Sequence, residues 1–173
     1  MIKKGDKSGQ FYLITAIILA AVIIGISTVS NYSKKEKSFE ANDLKEELQI
    51  ESENVIDYGI YNELTQVEMY RLLNDFTQAY IDSESNDKDL YFVFGDEDNM
   101  TLKGFQESAQ PVILNSVIMT TSSGEFVGGI DPFGEDLNIL ISDDIYDFNL
   151  ESGENFYFIV SQKIGDDEYV ITG

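Results

Sequence analysis

The spacing of apolar residues changes along the chain, and each change predicts a different element. Phe11 to Val29 is an uncharged run of 19 residues dominated by Ile, Ala, Leu and Val. Phe11, Tyr12, Leu13 and Ile14 open it, Ile17, Ile18, Leu19 and Val22 continue it, and Ile23, Ile24, Ile26 and Val29 close it. Its few polar residues, Thr15, Ser27 and Thr28, form no continuous stripe, as a soluble core helix would require. At 1.5 Å per residue the run spans about 29 Å, which matches a hydrocarbon core of roughly 30 Å. The pattern predicts a transmembrane helix over 10–32, with Tyr12 and Tyr32 near its two ends, where aromatic rings favour the interface.

Beyond a polar link (33–42), Leu44, Leu48, Val55 and Ile56 recur near helical spacing, with Asn42 as a cap and Gly59 as a stop. A second amphipathic helix follows, capped by Asn62. Leu64, Val67, Leu72, Leu73, Phe76 and Tyr80 form its apolar face. From Asp89 onward the pattern is that of strands. "DLYFVFG" and "MTLKGF" flank the turn "DEDN" as a hairpin. "PVILNSVIMTTSS" is expected to be one strand that Pro111 begins, and "SSGEFVGG" a flexible loop. "DLNILIS", "IYDFNL", "NFYFIVSQK" and "EYVITG" are further strands. The expected fold is α+β: an N-terminal transmembrane helix, two amphipathic helices, then a mostly antiparallel β-sheet, with 43–173 as one acidic domain.

Charge sharpens this division. The net charge is −21, yet the first 37 residues hold six of the eleven basic side chains and two of the thirty-two acidic ones. The remainder, with five basic and thirty acidic side chains, carries about −25. Such a domain repels phosphate backbones and anionic lipid, which excludes nucleic acid as a partner and favours cations and basic surfaces. Lys3, Lys4 and Lys7 on one side of the apolar run balance Lys34, Lys35 and Lys37 on the other, so the count of positive charges leaves topology open. A removable secretory signal is the alternative to an anchor. Its apolar region is usually shorter, roughly 7–15 residues, and no Ala-x-Ala follows here.

The order of basic leader, Gly9, Gln10, Phe11 and unbroken apolar helix resembles the class III signal peptides of type IV pilins and archaeal pilin-like proteins. The run is also similar to the leaders of short surface proteins of small-genome archaea. The resemblance implies cleavage after Gly9 by a prepilin peptidase on the cytoplasmic side of the membrane. Residues 1–9 would then be a leader, Gln10 the mature N-terminus, and the helix a retained anchor in the bilayer. It further implies a single-pass cell-membrane protein with its C-terminal domain outside the cell, or alternatively a subunit or minor pilin of a filament built with like subunits. Type IV pilins usually carry Glu at the fifth mature position; that position here is Ile14.

Candidate chemistry is sparse. The chain has no Cys and no His, which excludes thiol nucleophiles, Cys/His zinc sites and imidazole acid–base catalysis. No S-x-x-K or G-x-S-x-G motif is present, and no enzyme activity or cofactor is expected. Acid-rich turns are the one metal signal. Asp96, Asp98 and Asn99 could supply some of the six to eight oxygens that calcium takes, without the spacing of an EF-hand loop. The other acid clusters (131–136, 143–147 and 166–168) read as solvated turns. The domain is expected to bind or to build; its partner is not specified by any motif.

Overall fold

A computed structural model of the chain describes residues 42–96, 98–130, 136–164 and 167–173. The expected leader, with Gly9 and Gln10, the anchor over 10–32 and the link up to residue 41 lie outside the described residues, as do Glu97, Asp131, Glu135 and Asp166. No helix among the described residues is long and apolar enough to cross a membrane. Residues Ala41–Gly173 form one compact unit.

That unit is α+β. Helix α1 (42–61) and helix α2 (Gln66–Glu84) precede nine strands. These are β1 (Asp89–Gly95), β2 (Met100–Gln106), β3 (Val112–Leu114), β4 (Val117–Thr120), β5 (Gly124–Ile130), β6 (Asp136–Ile141), β7 (Asp144–Asn149), β8 (Asn155–Ile164) and β9 (Asp167–Thr172). They form two antiparallel sheets rather than one: β5-β2-β1-β8-β9 and β4-β3-β6-β7.

The central strand β1 shows why three layers result. Its run Leu90–Phe94 is apolar at every position, so both of its faces need cover. Leu90, Phe92 and Phe94 point to the helices, where they join Leu44, Leu48, Met69, Leu73 and Ile81. Tyr91 and Val93 point the other way, to Val112, Leu114, Leu137, Ile139 and Ile141 of the four-stranded sheet. The five-stranded sheet is therefore the middle layer, with a helical layer on one face and a second sheet on the other. Strand β6 buries Leu137, Ile139 and Ile141 on one face, and its edge neighbour β7 half-buries Tyr146 and Phe148 on the same side.

Local chemistry moves several boundaries. Gly59 does not stop α1. It lies buried inside the helix, where an added Cβ would come within 2.4 Å of the Met69 side chain on α2. Asn62 does not cap α2 either; its amide donates to Tyr58 O (2.7 Å) at the end of α1. Thr65 caps α2 in a reciprocal box with Glu68. The helix thus starts three residues later than Asn62 would imply. Val67 falls in its first, exposed turn, and Met69 takes the buried place. "PVILNSVIMTTSS" is a hairpin, β3–β4, turning at Asn115 (φ 44°) and Ser116 (φ 71°). "SSGEFVGG" supplies most of an edge strand, β5, paired along its whole length with β2.

Candidate functional site: an acid-rimmed apolar cavity

A cavity of about 540 Å³ opens at one end of the five-stranded sheet. The register brings its walls together: Gly95 of β1 stands opposite Met100 of β2 and Asn155 of β8, and Met100 stands opposite Ile130 of β5. The first turn of α2 covers this sheet end with Gln66, Val67 and Tyr70. Leu73, Phe94, Met100 and Ile130 supply an apolar lining, and the Tyr70 ring lies 5.8 Å from that of Phe94. Val67 is 60% exposed and Tyr70 44% exposed, although both are apolar or aromatic residues next to the core.

Two carboxylates face this lining, Asp96 and Glu154. They are held in different ways. Asp96 Oδ1 accepts from the backbone amides of Asp98 (3.0 Å) and Asn99 (2.8 Å), and its Oδ2 accepts from Gln66 Nε2. This Asx-type turn follows Gly95 at φ 138°, where an added Cβ would sit 2.0 Å from Asn99 O, so only glycine fits. Glu154 sits on the β7–β8 turn. That turn is built around Asn155, which is buried. Its amide donates to Glu151 O (2.9 Å) and Gly153 O (2.8 Å), and its Oδ1 accepts from Glu151 N (2.8 Å). Among the described residues no hydrogen bond or ion pair reaches the Glu154 carboxylate. Burial, and then the neighbouring Asp96 charge, push its carboxyl above the usual range.

The calcium candidates meet here only in part. Asp96 and Asn99 line the cavity, while Asp98 supplies its backbone amide to the turn. Among the described residues, no group of three or more acidic side chains is arranged to hold a metal ion. Tyr70, Met100, Ile130 and Glu154 were not singled out by sequence reasoning. The usable signal was Val67 and Tyr70, two large side chains three residues apart on the exposed side of the start of α2.

The opposite end of the same sheet carries a polar network with a structural task. Gln106 is fully buried and donates to Gln110 O (3.0 Å) and Ser122 O (2.6 Å). Gln110 in turn donates to the Tyr91 hydroxyl (2.8 Å) and accepts from Ser142 Oγ (2.7 Å). The void beside it is about 50 Å³, room for a water molecule or two and little more. Between sheet and helix, buried Lys103 donates to the backbone oxygen (3.1 Å) and side-chain oxygen (2.9 Å) of Asn74 on α2. Burial holds its ammonium below the usual lysine range.

Comparison with protein-family models, with curated proteins and with solved structures finds no match for this chain.

Proposed function

We propose that this chain is a single-pass membrane-anchored surface protein whose acidic α+β domain binds a ligand outside the cell without transforming it. The observation that carries the reading is the uncharged run Phe11–Val29, long enough to span a bilayer and followed by a domain of about −25. The Gly9–Gln10 junction supports retention of that helix after removal of a short leader. The cavity supports a binding role. Pockets of a few hundred Å³ with apolar walls and a few converging polar groups are the usual form of small-molecule sites.

The test has two readouts on the same membrane fraction. Terminal-peptide mass spectrometry reads the mature N-terminus, with Gln10 expected. Protease treatment of intact cells is expected to remove the domain; a domain left untouched while a control surface protein is cleaved would sink the reading. A second reading, a subunit of a pilus-like filament, draws on the same Gly9–Gln10 junction. Ile14 weighs against it, because the N-terminal ammonium of a packed subunit would lack its carboxylate partner in a medium of low dielectric. Sheared filaments containing the chain would favour it.

A further inference from the structure

Resting on the reading of this domain as a ligand-binding head, we propose that the cavity at the α2 end of the five-stranded sheet takes a small organic ammonium ion with an apolar body. Leu73, Phe94, Met100 and Ile130 would receive the body, and Glu154 would receive the charge.

The charge balance of the cavity decides the sign of the ligand. Two full carboxylates line it, and among its described lining residues there is no Lys or Arg. The N-terminus of α2 opposes them with the equivalent of about half a positive charge. That end is already answered by its own cap: Thr65 Oγ1 accepts from Glu68 N, and the Glu68 carboxylate accepts from Thr65 N (2.9 Å). The net field is therefore negative, and a carboxylate or phosphate ligand would meet repulsion on entering.

The two acids also differ in what they still lack. Asp96 already accepts three hydrogen bonds. Glu154 accepts none among the described residues, on a turn that Asn155 holds in place. An ammonium donor would supply the missing partner. Tyr70, which also lines the cavity, would add an aromatic ring for a cation to pack on. A bare metal ion fits less well. Calcium takes six to eight oxygens, one of the two carboxylates is committed to its turn, and the apolar walls would stay unused. An organic cation uses both halves of the site.

The experiment follows the backbone amides of Gly95, Thr101 and Gly129 by NMR, in the full chain in non-ionic detergent. It is titrated with hexylammonium, hexanoate, hexanol and methylammonium. Hexylammonium is expected to shift these three amides saturably. Glu154→Gln keeps the side-chain shape and is expected to weaken it about tenfold, the value of one charge-assisted hydrogen bond. Hexanol is expected to bind more weakly and with no response to the substitution. Wild type and variant share the same micelle, so partition into detergent cancels in their ratio. Hexanoate binding as tightly as hexylammonium would overturn the cationic assignment while leaving a ligand site standing, and this comparison needs no variant. Methylammonium matching hexylammonium at the same amides would reduce the effect to general attraction by an acidic chain and overturn the inference. No response to any probe would overturn both the inference and the cavity's role as a binding site; the surface-anchor reading would still be decided by the protease and N-terminus measurements.

Discussion

Helix α1 is the first element of the described unit, and Leu48→Ala tests whether it belongs to the cooperative core. Leu48 is fully buried, in the cluster that also holds Leu73, Phe92 and Phe158. Removing its side chain beyond Cβ loses about 2 kcal/mol of transfer free energy. The void left under a helix that can collapse only partly adds about 1 kcal/mol more. The expected loss is therefore about 3 kcal/mol. In a unit of this size each kcal/mol moves the midpoint by about 3–5 °C, so Tm should fall by about 10 °C. Ile50→Ala is the control: it lies two residues further along the same helix, 60% exposed, and should change stability by less than about 0.5 kcal/mol. Urea unfolding followed by circular dichroism measures both. Equal, small losses for the two variants would refute the reasoning, because α1 would then be a stalk that frays independently. A full loss at Leu48 with an unchanged urea dependence means that α1 unfolds together with the core.

Three further expectations follow from single sites. Ser116→Gly should raise stability by about 1 kcal/mol in thermal melts, since Asn115 and Ser116 both hold positive φ and glycine removes the steric cost at the second position. Gln106→Leu should cost about 2–3 kcal/mol by urea titration, because it leaves the carbonyls of Gln110 and Ser122 without their donor in a buried place. Glu154→Gln should stabilise the domain near neutral pH, and the gain should shrink on acidification. The folded-state value of Glu154 is raised, so its contribution is fully present below the unfolded value of about 4.5 and is lost as pH rises through the higher folded one. A gain that stays constant between pH 4 and pH 8 would show that the charge of Glu154 carries no cost.

The sequence made some elements legible because their determinants are local. The 3- and 4-residue spacing in 42–84 marks two helices, and the turn after Gly95 marks the first hairpin. Thr65-x-x-Glu68 was a readable capping box, and choosing Asn62 instead placed Val67 on the wrong face. Asn115-Ser116 lacks the glycine that advertises a two-residue hairpin turn, so β3 and β4 read as one strand. β5 reads as a loop because glycines hide it. Yet Gly128 is where Met119 packs: an added Cβ would lie 2.6 Å from its Sδ. The division into two sheets depends on the long-range pairings of β3 with β6 and of β1 with β8, and nothing local to those strands specifies them. The cavity was illegible for the same reason. Its walls come from α2, β1, β2, β5 and the β7–β8 turn, and only the finished register assembles them.

The contrast between the two ends of the five-stranded sheet is the strongest physical reason to look for function at one of them. Both ends carry polar groups against the core. At the Gln106 end Gln106, Gln110 and Tyr91 form one bonded network, and the void beside it admits little more than water. At the Glu154 end a half-buried carboxylate stands beside a second one, and large side chains line open space instead of closing over it. A desolvated, unpaired charge costs stability, and so does apolar surface left in water. Two other polar groups set against the core are answered by partners: Lys103 reaches Asn74, and Asn155 satisfies its own turn. One substitution, Glu154→Gln, should therefore move stability and ammonium affinity in opposite directions. A site kept only for folding would have no reason to show that opposition.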